Sequence, residues 1–222
     1  MGIHYNTKLA TDGLVLCLDA TNTKSNPGSG TVWKDISGNS NHCNWGVTPT
    51  YATGYYTFNG TSHYGTVTNG STLNFSNGQT LIMILRHTYT SGRKNPWNQA
   101  YAGYGTWTHE NGSTMSQYFG DGGGDNSPYI GTSSATTATS VWNVLCSTRD
   151  MTQQIWYLNG VSTLTTAHSY SSLTASTANI TIGNGYAGYW QGDMAMVMAY
   201  TRALTATEVL QNFNTLRGRL SL

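Results

Sequence analysis

The acidic residues are the first to test for chemistry, because cleavage of a glycosidic bond takes two carboxylates placed on either side of it. Glu110 and Glu208 are the only glutamates, and Glu208 stands three residues after Thr205, the spacing of a capping box that commits its carboxylate to a helix start. No aspartate pair falls at strand spacing, so an enzyme acting on glycans is the remote reading and a non-enzymatic protein the expected one. Residues 183–188 (GNGYAG) match the dinucleotide pattern G-x-G-x-x-G and even follow a strand. That motif needs a helix start to receive a pyrophosphate, whereas residues 189–192 lead into another strand, so the segment reads as a turn. There is no G-x-S-x-G elbow, P-loop or H-E-x-x-H, and His42-Cys43 stands without partner ligands for zinc.

Two segments offer binding chemistry. In residues 120–126 (GDGGGDN), Asp121 and Asp125 sit on flexible backbone and offer oxygens to calcium, although their spacing fits no calcium signature and an exposed glycine-rich turn is the plainer reading. Asp19 and Asp35, at the ends of early strands, are alternative metal candidates; no other cofactor is expected. The second segment is aromatic: Trp97, Tyr101, Tyr104, Trp107, Tyr118 and Tyr129 are separated by Gly, Asn, Gln and Asp. Aromatic faces hold the C–H groups of sugars and planar amides or carboxylates hold their hydroxyls, so these residues are the candidate carbohydrate site. Rings at alternate strand positions also fill sandwich cores and subunit interfaces, and that alternative stays open. The sequon at Asn69 follows from a Ser/Thr-rich composition.

The elements that would position these groups are mostly strands. Residues 13–20, 55–60, 79–88, 141–148, 153–158, 179–182 and 193–200 read as strands, with Asn159-Gly160 and Arg149-Asp150 as turns and residues 63–67 as the hairpin partner of 55–60. Residues 33–38 and 42–46 read as a short connection, and 95–129 as several short strands broken by glycine. In all, about ten to twelve strands are spaced as in two packed antiparallel sheets. Residues 193–200 are apolar on both faces, with Met194, Met196, Met198 and Tyr200 on one and Ala195, Val197 and Ala199 on the other, as in a strand buried within a sandwich. One helix follows. Thr205 and Glu208 cap its start, Leu204 staples to Val209, and Val209, Leu210, Phe213 and Leu216 form its apolar stripe. Gly218 supplies a left-handed end, and the helix is expected to cap the edge or end of the sandwich.

Composition fits a single domain over 1–222: no shift divides the chain, glycine is abundant, and Trp and Tyr outnumber Phe. With 9% charged residues and a net charge of +1, nucleic acid and anionic membrane are not expected partners. No stretch approaches the roughly 18 apolar residues of a membrane span. The first twenty residues lack a cationic start, a long apolar centre and a cleavage site, and Cys17, Cys43 and Cys146 are too few and scattered for a disulfide framework; synthesis in a reducing cytoplasm, without a signal peptide, is expected.

The order of landmarks resembles the concanavalin A-like, laminin-G-type lectin domains. The matching residues are Gly13 to Leu16 with Leu18 to Ala20, Trp33 to Asn39, Phe58 to Thr61, Trp156 to Gly160, Ile182-Gly183, and Gly192-Asp193 through Arg202 to Thr205 and Glu208. Where relatives carry further acidic residues after the Gly192 position, Met194 and Ala195 stand here. The resemblance implies an all-β jelly-roll sandwich of two antiparallel sheets with one short C-terminal helix. The version with GLVLCLDA near the start is similar to domains of tailed-phage virion proteins, particularly of marine and cyanobacterial phages. That likeness implies a virion structural protein made in the host cytoplasm, serving as capsid decoration or tail-fibre component, with other virion proteins as partners and a homo-oligomeric state. The alternative is a carbohydrate-binding adhesin for cell-surface polysaccharide.

Overall fold

A computed structural model describes residues 8–99, 106–110, 112–120, 129–133, 136–168 and 176–219, of which 106–110, 120, 129–133 and 219 are described by their backbone. In chain order the strands are β1 (Leu14–Asp19), β2 (Val32–Trp33), β3 (Cys43–Val47), β4 (Thr50–Ala52), β5 (Tyr55–Asn59), β6 (Tyr64–Val67), β7 (Gln79–His87) and β8 (Lys94–Asn98). There follow β9 (Thr106–Glu110), β10 (Thr114–Gly120), β11 (Tyr129–Ser133), β12 (Asn143–Arg149), β13 (Gln153–Leu158), β14 (Val161–Ala167), β15 (Ile180–Ile182), β16 (Gln191–Tyr200) and the helix α1 (Ala206–Leu216). They form two eight-stranded antiparallel sheets. The first runs β14-β13-β12-β7-β16-β5-β4 with β1 beside β16, and the second runs β11-β10-β9-β8-β15-β6-β3-β2.

The centre of the first sheet is apolar on both sides because it is covered on both, whereas its edge strands β14 and β4 are mostly exposed. Leu81, Met83 and Leu85 of β7 face the core between the sheets, while Ile82 and Ile84 face a second cluster that includes Val209 and Leu216 of α1. β16 divides in the same way, but its register shifts between Met194 and Met196. The three methionines therefore do not share a face: Met194 joins Val197 and Ala199 in the inter-sheet core, and Met196 and Met198 lie under the helix. α1 consequently packs on the outer face of this sheet rather than capping its edge. Leu9 and Ala10, from the segment before β1, and Leu204 pack on the same apolar cluster beside the helix.

The helix start is as the sequence reads. Thr205 accepts the N–H of Glu208 and the Glu208 carboxylate accepts the N–H of Thr205 at 2.8 Å. The stripe differs: Leu210 is 46% exposed, and Asn212 is buried in its place, accepting the Ala10 N–H and donating to the Tyr200 hydroxyl. At the other end the chain tightens into a 3-10 turn, Arg217–Arg219, and Gly218 does not take a left-handed conformation.

Two connections also differ from the sequence reading. β5 and β6 are not a hairpin, since β5 pairs with β16 and β4 while β6 pairs with β15 and β3. Asn59-Gly60 carries the chain from one sheet to the other, so that Phe58 and Val67 meet across the same core. Residues 43–47 are a strand inside the second sheet, with Cys43 and Trp45 turned inward and Asn44 outward. The β12–β13 hairpin around Asp150 is as expected: its Oδ1 accepts the N–H groups of Thr152 and Gln153 at 2.7 and 2.9 Å.

At one end the core is polar. Gln117 of β10 donates to Gln79 of β7 and accepts from Ser147 and Gln154, so side-chain hydrogen bonds tie the two sheets together. Because Gln117 points inward, its neighbour Tyr118 points out.

Candidate functional site

Four acidic residues with described side chains, Asp19, Asp35, Asp193 and Glu208, fill structural positions. Asp35 accepts the N–H groups of Cys17, Ser37 and Asn41, Asp19 accepts from Thr21, and Asp193 pairs with Arg86 at 2.5 Å and accepts from Thr57. Glu208 is held by Arg202 at 2.5 Å; that hydrogen bond, with those from Thr205, lowers its pKa from 4.5 to about 2. Among the described residues no group of three His, Cys, Asp or Glu is placed to hold a metal. Asp121 and Asp125 lie outside the described residues. Cys17, Cys43 and Cys146 are buried thiols, and burial pushes Cys43 and Cys146 far above the usual thiol range.

The aromatic candidates separate. Trp97 has no exposed surface and belongs to the inter-sheet core, so its ring is not available to a ligand; it sits on the inward-facing alternation of β8. Trp107 is register-paired with Trp97 and Gln117, and Tyr129 with Gly120. Tyr101 and Tyr104 lie outside the described residues. Tyr118 alone is placed on the outer face of the second sheet with its side chain described, and it has company that the sequence did not announce.

That company comes from the 183–190 loop. At Gly183, with φ of 82°, a Cβ would meet the Phe58 ring at 2.3 Å, so only glycine lets the chain turn here. The loop folds back against β8, where the Ala187 N–H donates to Asn95 Oδ1 at 2.6 Å. It is a turn between β15 and β16, as its sequence context implies. Its effect is to bring Tyr186 to Arg93. The Arg93 guanidinium donates to the Tyr186 hydroxyl at 2.6 Å and the Tyr118 hydroxyl at 3.3 Å, and its carbon lies 5.3 and 5.8 Å from the two ring centres. Tyr186 is 47% exposed. Beside this group, Tyr189 of the same loop meets Tyr64 of β6 at 6.3 Å.

The cation-π contacts and hydrogen bonds fix the orientation of two tyrosines that would otherwise rotate freely in solvent. The result is a set of amphipathic rings around a planar donor, on a sheet face that bears mainly hydroxyl and amide side chains. No carboxylate pair flanks it among the described side chains.

Two antiparallel sheets packed as a sandwich, with one helix outside, define a jelly-roll of the concanavalin A type. The chain belongs to the concanavalin A-like lectin/glucanases superfamily, whose Laminin_G_3 model matches residues 59–210. In structure it is similar to the binding domain of Paraclostridial Mosquitocidal Protein 1, with a TM-score of 0.74 and 16% identity over 92% of this chain and 52% of that one. It is also similar to the receptor binding domain of botulinum neurotoxin D (0.71, 11% identity, 92% and 53%) and to Trypanosoma rangeli sialidase (0.69, 15% identity, 94% and 33%). At these identities the likeness is one of fold, and the chain spans about half of each toxin domain and a third of the sialidase. A comparison with curated protein sequences finds no match.

Proposed function

We propose that this chain is a non-catalytic, lectin-like binding module that takes carbohydrate on the outer face of its second sheet, around Arg93, Tyr118 and Tyr186. The observation that carries the reading is the Arg93 clamp, which holds two partly exposed tyrosines in place without burying them. Such rings stack on sugar C–H faces, and the surrounding hydroxyl and amide groups suit sugar hydroxyls. The fold's use as a binding domain in the mosquitocidal protein and in a botulinum neurotoxin supports the same reading, and the structural engagement of the described carboxylates supports binding without hydrolysis.

The setting we put forward is the surface of a tailed-phage particle. There the module would be a virion structural component, in capsid decoration or a fibre, assembled as a homo-oligomer with other virion proteins and made in the host cytoplasm. The order of sequence landmarks supports it. Mass spectrometry of purified virions tests the setting, and absence of the chain from them removes it. A glycan array tests the binding: Arg93→Ala and Tyr186→Ala should weaken the hits of the wild-type chain, and an array without hits, together with no retardation by soluble polysaccharides, overturns the reading.

A further inference from the structure

The geometry points to an extended, unbranched glycan, bound along its interior rather than by a terminal sugar, running across the strands of the second sheet; this rests on the carbohydrate reading above. The observation is a register row. Asn44 of β3 is paired with Thr66 of β6, Thr66 with Thr181 of β15, Thr181 with Asn98 of β8, Asn98 with Thr106 of β9, and Thr106 with Tyr118 of β10. Directly opposed residues of antiparallel strands share a face. This face is the outer one, because Cys43 and Trp45, Val67, Ile180 and Ile182, and Trp97 alternate with the row and are buried.

β3, β6, β15, β8 and β10 therefore each contribute one hydroxyl, amide or phenol group at the same level, and β9 places the backbone of Thr106 in that row. Adjacent strands lie about 4.8 Å apart, so the row is about 24 Å long, with polar groups at the strand interval from Asn44 to Asn98 and again at Tyr118. That step is close to the length of one pyranose ring with its linking oxygen. A terminal sugar is gripped by groups converging on one spot, whereas a line of single groups at a constant interval matches a polymer whose hydroxyls recur at that interval. From Asn44 to Asn98 the described side chains of the row hold no charge for an anionic polymer and no aromatic anchor of the kind that dominates a protein interface. Its Tyr118 end leads to the Arg93 clamp, which supplies stacking faces for the chain. α1, the only helix longer than one turn among the described residues, lies on the other sheet; on this face Asn44 is exposed and Thr66, Thr181, Asn98 and Tyr118 are half-buried.

The test combines gels cast with soluble polysaccharides (a β-glucan, a mannan, a galactan and a xylan) with titration of the matching oligosaccharides from monosaccharide to hexasaccharide, alongside the array. The expected result is retardation by at least one polymer, with affinity that climbs with length and levels off at about five residues. The isosteric pair Thr66→Val and Thr181→Val should weaken it about tenfold by removing two hydroxyls. Leu210→Ala, on the helix, should leave it unchanged. Equal affinity for the monosaccharide and the hexasaccharide overturns the extended-chain inference. So does an array that reports only capped terminal sugars while no polymer retards the protein. Either result leaves the carbohydrate reading standing, whereas no retardation together with no array hits overturns both. Tyr186→Ala separates the two parts of the surface: it lowers affinity at every length, while the threonine pair removes the gain from added length.

Discussion

The two sheets differ in what covers their outer faces, and that difference divides the molecule into a scaffold and a presenting surface. The first sheet carries α1, so β7, β12 and β16 are apolar on both sides and their tolerance for substitution is that of a core. The second sheet has its apolar side against the first, so its strands alternate, and the described outward positions of β3, β6, β15, β8 and β10 in the row from Asn44 to Tyr118 are exposed or half-buried and polar. A single sandwich thus holds both kinds of strand, and the presence of one helix decides which sheet is which.

The largest effect should come from the covered face. Met198→Ala removes a fully buried side chain between β16 and α1, and should cost about 2 to 5 kcal/mol in urea denaturation. Tyr186→Ala, on the open face, should stay within about 0.5 kcal/mol; comparable losses at the two positions would break the division. Next in size, Arg93→Ala should reduce glycan affinity by about tenfold or more while the unfolding midpoint holds, which titration and calorimetry on the same sample would show. A smaller loss, about 1 kcal/mol, is expected for Thr205→Ala, because the N-cap hydroxyl satisfies the Glu208 N–H. Glycan affinity should not follow that loss, since the helix lies on the other sheet.

The smallest effect depends on pH. The Glu208 carboxyl is held at about 2, below its ordinary 4.5, so its contribution to stability is fully present above about 4.5 and is lost as pH falls toward 2. The melting-temperature gap between wild type and Glu208→Gln should therefore be open at neutral pH and close near pH 2. A gap that persists in acid would assign the effect to packing rather than to the ionised cap.

The legible parts of the fold were those with a local cause. Residues 79–88 and 193–200 announce buried strands by continuous apolarity, and Thr205 with Glu208 announces the helix because a capping box is closed within four residues. Residues 43–47 hid their strand because Asn44 and Gly46 occupy its outward positions and look like a connection. The hairpin assigned to 55–60 and 63–67 failed because a tight turn says where the chain bends, not which sheet receives it. Of the site, Tyr118 was visible as one ring in an aromatic segment, and Trp97 in the same segment proved to be core. Arg93 and Tyr186 are 93 residues apart, and no spacing rule connects them.

By itself the sequence determined the class: an all-β chain of low charge, apolar strands that need cover on both faces, one capped helix, and a glycine-rich turn with no nucleotide to hold. These follow from periodicity and end signals that act over a few residues. Only the tertiary structure decided that the helix covers the first sheet, that the β16 register shift parts Met194 from Met196 and Met198, and that the 183–190 loop closes on β8 to set Tyr186 against Arg93. Register and face are settled by partners far away in the chain, and the binding surface is made of those choices.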